Sequence, residues 1–225
     1  MKRVIVPELL DDDRGTPQQI QDSLTDLRML NRYFGGTTTT TSLLLQVAER
    51  LRMTNVSWLD VAGASGDVAA AACKALASEG ITLAVTVLDR SPGHLRAAPA
   101  SAICGSAFQL PFADASFDVV GCNLFVHHLG PAEFEVFMAE AMRVCRRAVI
   151  INDLERTTWH WLAAHAGRLI YRSAVTRHDA PVSVRRAYTQ SEVKNILQAA
   201  GYSAVESSHH FLYRMGFIVW RKAEE

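Results

Sequence analysis

Four cysteines in 225 residues are few, and they are scattered: Cys73, Cys104, Cys122 and Cys145. None shows the paired spacing of a zinc site, so no metal is expected. Three fall in or beside apolar runs, where a thiol serves as a small apolar filler. An excess of one charge is also missing. Lys plus Arg number 23 and Asp plus Glu number 23, for a formal net charge of zero. A phosphate backbone selects basic surface, so no nucleic-acid partner is expected. No apolar run approaches the roughly 18 residues of a membrane helix, and no stable membrane insertion is expected. The start, M-K-R-V-I-V-P-E-L-L-D-D-D, turns acidic at once and does not resemble a signal peptide. A soluble cytoplasmic protein is the expectation. No internal repeat is visible. Apolar residues, by contrast, make up 49% of the chain, enough for a full core without disulfides. The length suits one domain, or one domain with an added lid.

Residues 1–52 read as a helical segment. Thr16-Pro17 is a helix start, and Ile20, Leu24, Leu27 and Leu30 trace an apolar face. Gly35-Gly36 ends it. Five threonines, residues 37–41, read as a turn into a second helix over residues 42–51. The segment either packs on a larger domain or forms an active-site flap. In the second case Asn31, Arg32, Tyr33 and Phe34 face the ligand.

From Val56 strands and helices alternate. Strands are expected at residues 57–61, 83–88, 101–104, 117–122 and 148–151. Helices are expected at 67–78 and from Pro131 to about Arg143, with a short one at 92–97. Such alternation implies a mostly parallel sheet covered on both faces, with ligands at the carboxyl ends of the strands. Those ends carry Asp60, Gly63 and Gly66, then Asp89, then Ser106, then Asn123 through His128. Asp89, at the end of the second strand, suits the two hydroxyls of a ribose. Its plain alternative is a cap before Ser91-Pro92. The turn A-G-A-S-G lacks the G-x-G-x-x-G spacing of dinucleotide binders. Asp60 lies just before it, where a pyrophosphate would be repelled and a cationic cofactor attracted.

Taken together, L-D-V-A-G-A-S-G-D (residues 59–67), V-L-D-R-S (87–91), G-S-A-F-Q-L-P-F-A-D-A-S-F-D-V-V (105–120) and N-L-F-V-H-H-L (123–129) resemble the class I S-adenosylmethionine-dependent methyltransferases of the small-molecule type. The resemblance covers residues 43–151 well. It implies a Rossmann-like α/β fold: a seven-stranded, mostly parallel sheet with a reversed last strand, flanked by helices. The cofactor implied is S-adenosyl-L-methionine. By the same resemblance Asp60, Ala62, Gly63, Ala64 and Gly66 hold its methionine end, Asp89 with Arg90 beside it the ribose, and Ser106, Ala107 and Phe108 the adenine. Asn123 closes the site near the sulfonium. Two positions depart from the family's pattern. Ala62 and Ala64 stand where glycines are usual, and Ala64 is compatible only with a backbone that avoids positive φ. Ser106 stands where an aspartate usually accepts from the adenine amine, so weaker cofactor binding is expected.

Residues 53–225 are then the methyltransferase domain. A helix is expected over 155–171 and another over 190–199, with a polar lid insertion at about 171–188 between them. The end reads as an antiparallel pair, residues 203–207 and 212–220, with Phe211, Tyr213, Met215, Phe217 and Val219 alternating into the sheet core. N-D-L-x-R with a later R-H-D-x-P-x-S-V-R-R-A is similar to bacterial methyltransferases found with polyketide enzymes, which implies a phenolic or other hydroxyl as acceptor. An oxygen of high pKa wants a base, and histidine suits that near neutral pH. His128 is the first candidate and His178 the second. Tyr33, His127, Arg177, Arg185 and Arg186 are candidates for the acceptor pocket. Methylation at carbon or nitrogen of a small ring or quinone precursor needs the same cofactor site. A degenerate binding or scaffold protein is the reading that Ala64 and Ser106 favour. A nicotinamide oxidoreductase is disfavoured by the turn and Asp60. A monomer or homodimer is expected.

Overall fold

The computed structural model describes residues 1–12, 14–97 and 101–222. Its centre is a seven-stranded sheet in the order β3-β2-β1-β4-β5-β7-β6. The strands are β1 (Asn55–Val61), β2 (Thr82–Asp89), β3 (Ser101–Cys104), β4 (Phe117–Asn123), β5 (Cys145–Leu154), β6 (Val205–His210) and β7 (Arg214–Trp220). The first five run parallel, and β7 runs antiparallel to both β5 and β6. The reversed last strand and the doubly covered sheet are therefore as expected. β1 is buried from Val56 onward on both faces, which is why V-S-W-L-D-V reads as a nearly continuous apolar run.

The chain leaves β1 for β2 on one side and later enters β4 on the other. At that reversal the connections part and leave a crevice above the carboxyl ends of β1 and β4. Helices α2 (Gly36–Leu51) and α3 (Asp67–Ser78) cover one face, burying Leu44, Val47, Ala72 and Leu76 against Trp58 and Val119. Helices α4 (Pro131–Val144) and α7 (Gln190–Ala199) cover the other, through Phe134, Phe137, Met138, Val193 and Leu197. Three more helices complete the fold: α1 (Pro17–Tyr33), α5 (Thr158–Ala166) and α6 (Ala174–Arg186). α6 packs on both α1 and α5. Among the described residues no helix is long and apolar enough to cross a membrane.

Four expectations are corrected. The threonine run is not a turn: α2 begins at Gly36 and contains all five threonines. Tertiary bonds outweigh the modest helix propensity of threonine, since Asn152 of β5 donates to the Gly36 carbonyl (2.7 Å) and to Thr40 Oγ1 (2.9 Å). The helix expected over 155–171 is shorter, ending at Ala166 and passing into a 3-10 turn at Gly167–Leu169. The polar insertion is mostly the regular helix α6, and its Val175, Pro181 and Val184 are buried. Phe211 lies in the turn between β6 and β7 and is 67% exposed, outside the sheet core.

Candidate active site

A cavity of about 1020 Å³ opens above the crevice and runs from the turn after β1 to the strand-following turn Val126–His128. At one end it is lined by Ala62, Ala64, Asp89, Arg90, Ser106, Ala107 and Phe108. Ala62, Ala64 and Gly66 all take positive φ, at 58°, 46° and 69°. The backbone that Ala64 was expected to avoid is thus the one it has. A methyl in this region costs about 1 kcal/mol relative to glycine, and the turn holds it by hydrogen bonds. Ala64 N donates to Asp89 Oδ2 (3.0 Å), and Gly63 N donates to the Leu88 carbonyl (3.2 Å). Asp89 Oδ1 accepts from Ser91 N (2.9 Å). The carboxylate is therefore both a cap, as its plain reading had it, and a wall of the cavity.

Asp60 lies beneath this turn, buried, and its Oδ1 has no hydrogen-bond partner among the described residues. Burial, and then the charge of Asp89, push its carboxyl up to about 8. Gly63 rests directly on it: a Cβ at residue 63 would stand 2.6 Å from Asp60 Oδ2 and 2.8 Å from Val87 Cγ1. An orphaned buried carboxyl oxygen under a tight turn fits a cationic partner, since an ammonium or sulfonium nearby would supply the missing interaction. Farther along this wall Ser106 Oγ accepts from Phe108 N (3.2 Å), so the serine closes its own turn.

The other end of the cavity holds a buried polar cluster. His127 Nδ1 lies 2.6 Å from Asp153 Oδ1, and His127 N donates to Asp153 Oδ2 (3.0 Å). Burial raises the Asp153 carboxyl, but the charge and hydrogen bonds of His127 outweigh that and hold it below its usual range. His127 Nε2 faces Glu8 at 3.6 Å. His128 Nδ1 lies 3.0 Å from Asp11 Oδ2 and 3.8 Å from Glu8 Oε1. The two imidazoles lie against each other, tilted by 36°, with ring centres 4.0 Å apart. Burial lifts the Glu8 carboxyl to about 7. Burial would lift Asp11 too, but His128 and Arg186 hold it at about 2. Glu8, His127 and His128 bring atoms of metal-ligating type within 4.8 Å of one another. Arg186 Nη1 already sits 3.4 Å from Glu8 and 3.1 Å from Asp11, and its guanidinium supplies the positive charge there. Between the two ends the walls are largely apolar: Leu27, Leu30, Phe34, Phe125, Leu154 and Ile170.

Residues 59–151 match the family model described as "Methyltransferase domain". Over that stretch, less than half of the chain, the sequence is similar to methyltransferase domains, and the cofactor this likeness indicates is S-adenosylmethionine. Solved structures agree on the fold. The plantazolicin methyltransferase BpumL in complex with SAH superposes with a TM-score of 0.73 at 12% identity, over 95% of this chain and 94% of that one. Magnesium protoporphyrin IX methyltransferase from Synechocystis PCC 6803, with bound SAH, gives 0.57 at 15% identity, over 84% of each chain. A SAM-dependent methyltransferase from Aquifex aeolicus gives 0.53 at 17% identity, over 73% of this chain and 81% of that one. No curated protein matches the chain significantly.

In this methyltransferase fold the cavity gathers only some of the residues singled out in the sequence. His127, His128 and Arg186 line it. His178, Arg177, Arg185 and Tyr33 do not. Tyr33 is 61% exposed at the far side of α1, beside Arg32. The Arg177 guanidinium turns back to the Tyr171 carbonyl (3.1 Å). The His178 side chain is half exposed, and its Nδ1 lies 2.7 Å from Asp179 Oδ1, so adjacent residues do pair here. Asn123 is also off the cavity wall: its Nδ2 donates to Asn31 Oδ1 (3.2 Å), and its Oδ1 accepts from Arg214 Nη1 (3.1 Å). Of the four proposed flap residues, only Phe34 reaches the cavity. Sequence reading missed Glu8, Asp11, His160 and Asp179, all of which line it. His160 is held neutral by burial, which lowers it to about 4, and its Nδ1 lies 3.0 Å from the Glu155 carbonyl. The D-D-D run at the start was the one available signal for Asp11.

Proposed function

We propose that the chain transfers the methyl group of S-adenosylmethionine to a hydroxyl oxygen of a small, largely apolar acceptor, with His128 as the base. The observation that carries this reading is the continuity of one cavity from the Ala62–Ala64 turn to His128. Asp89 would hold the ribose, Ala107 and Phe108 the adenine, and Asp60 would face the ammonium through the turn. When bound, the cofactor supplies a carbon already activated by a sulfonium. The protein's part is to hold the acceptor oxygen in line with that carbon, to keep water out, and to take one proton. Methyl transfer forms the O–C bond while the C–S pair stays on sulfur, leaving a neutral thioether. The acceptor's proton passes to His128 Nε2, which has no protein partner among the described residues. The apolar middle of the cavity favours a phenolic or similarly apolar acceptor, and its volume leaves room beyond the cofactor.

The test is calorimetric binding of S-adenosylhomocysteine, followed by mass spectrometry of products from a panel of phenols. His128→Ala is expected to lower turnover by about 10²-fold, with His178→Ala near wild type. Full rate in His128→Ala at saturating acceptor would leave catalysis by proximity alone. Absence of S-adenosylhomocysteine binding would favour a scaffold.

A further inference from the structure

The pair His178-Asp179 lies outside the proposed chemistry, yet Asp179 is buried and fully engaged. Its Oδ1 accepts from Leu9 N (2.9 Å) and its Oδ2 from Leu10 N (3.0 Å). These bonds pin residues 1–12, a segment whose only regular element is the 3-10 turn Leu10–Asp12. Arg3 fastens the other end, donating to the carbonyls of His127 (3.0 Å) and Leu129 (2.8 Å) and lying over the Tyr188 ring. Within the segment only Glu8 is buried, while Ile5 and Val6 are exposed. A segment held by polar bonds rather than apolar burial opens at low cost.

That same segment brings two carboxylates to the histidines. An imidazole that donates through Nδ1 to a carboxylate keeps its Nε2 lone pair free, and the carboxylate fixes both the tautomer and the ring. The groups facing His128 are Asp11 and Glu8 from the segment, His127 from its own turn, and Arg186 from α6. Without the segment Arg186 would be the only fixed charge among them. Arg90, next to Asp89, donates to the Asp11 carbonyl, so the segment also touches the cofactor end.

We propose that residues 1–12 form a strap that positions the base: Asp11 orients His128, Glu8 supplies negative charge to the imidazolium formed on proton transfer, and Asp179 latches the strap. The proposal rests on the methyl-transfer reading. Asp11, Glu8 and Asp179 are positioning residues, because none of them takes the acceptor's proton.

The experiment uses the full chain and compares Asp11→Asn, Asp11→Glu and Asp179→Ala. It measures kcat against pH, the acceptor KM, S-adenosylhomocysteine affinity, and amide exchange of residues 1–12. Asp11→Asn is expected to lower kcat by about 10²-fold with KM and S-adenosylhomocysteine affinity near wild type. Loss of a carboxylate beside the imidazole moves the acid limb of kcat to lower pH. Asp11→Glu recovers most of the rate. Asp179→Ala reproduces the kcat loss, and exchange of residues 1–12 quickens. Wild-type kcat in Asp11→Asn and Asp179→Ala overturns the proposal, as does a fall in kcat matched by an equal fall in S-adenosylhomocysteine affinity. If Asp179→Ala fails to fold, Arg3→Ala releases the other fastening and is read in the same way. If the wild-type chain binds S-adenosylhomocysteine but methylates no hydroxyl, the functional reading fails instead. Exchange of residues 1–12 then still tests the latch, and unchanged exchange in Asp179→Ala overturns it.

Discussion

Replacing Asp60 by Asn removes a carboxyl that burial and the charge of Asp89 hold up at about 8. The unfolded chain would ionise it near 3.8, the ordinary value for an aspartate. The native state therefore keeps this proton more tightly than the unfolded state. The sign follows: stability contributed by the neutral carboxyl is lost as pH rises from about 4 to about 8, and the loss is complete above that. Each unit in this window costs about 1.4 kcal/mol. From about pH 5.5 to about pH 7.5, roughly 2 units, Asp60 alone should remove about 3 kcal/mol from the cofactor-free protein. Asp60→Asn is close in shape and cannot ionise, so it should lose none of this. Glu8, raised to about 7, also titrates in the window, but it does so in both proteins and cancels from the comparison. Urea denaturation of both proteins at the two pH values measures the difference. Equal losses in the two would refute the assignment of this carboxyl as neutral in the empty site.

Asp60 also links protonation to the cofactor. An ammonium placed over the Gly63 turn favours the ionised carboxylate, so binding at about pH 6.5 should expel nearly one proton from Asp60. Calorimetry in two buffers of different ionisation enthalpy reads that proton directly. Asp60→Asn should release about one proton fewer and bind about tenfold or more weakly, the scale of one lost charged interaction. Equal proton release in both proteins would place the cofactor's cationic end elsewhere.

The turn itself gives two further predictions. Ala64→Gly relieves a side chain at φ 46° and should raise stability by about 1 kcal/mol, with S-adenosylhomocysteine affinity unchanged or tighter; denaturation and calorimetry read the two effects. Gly63→Ala places a methyl against Asp60 and Val87, both closer than a real Cβ tolerates, and should cost about 2 kcal/mol together with cofactor binding.

The parts of the fold legible in the sequence are those set by local pattern. α3, β3 and α7 have the bounds expected from the sequence, because each is decided largely by its own residues: a glycine before Asp67, the short stretch S-A-I-C, and a helix that the structure caps with Thr189 and Glu192. The cofactor turn was legible for a different reason, since a tight strand-to-helix turn must spend small residues in sequence order. Its conformation was not. Alanine at 62 and 64 argues against positive φ, and the structure imposes it through the Ala64–Asp89 bond, whose partners lie 25 residues apart. α2 shows the same override, because its threonine-rich first turns are held by Asn152.

The acceptor end was the least legible because its polar groups come from segments with no periodicity of their own. Leu9 meets Asp179 across 170 residues, and Arg3 meets His127 across 124. No window of sequence contains either pair, and the start of the chain offers only three acids and a short apolar stretch. His178 shows the consequence. Its place beside Asp179 in sequence means little by itself. In space the two do pair, at 2.7 Å, but the aspartate also accepts from two backbone N–H groups, and the histidine lies outside the cavity. The base that sequence reading did prefer, His128, owes its geometry to an acid 117 residues away. The residue type suited to the chemistry could be read locally. The carboxylates that orient it arrive only through tertiary contacts, so the N-terminal strap is where variants best separate positioning from chemistry.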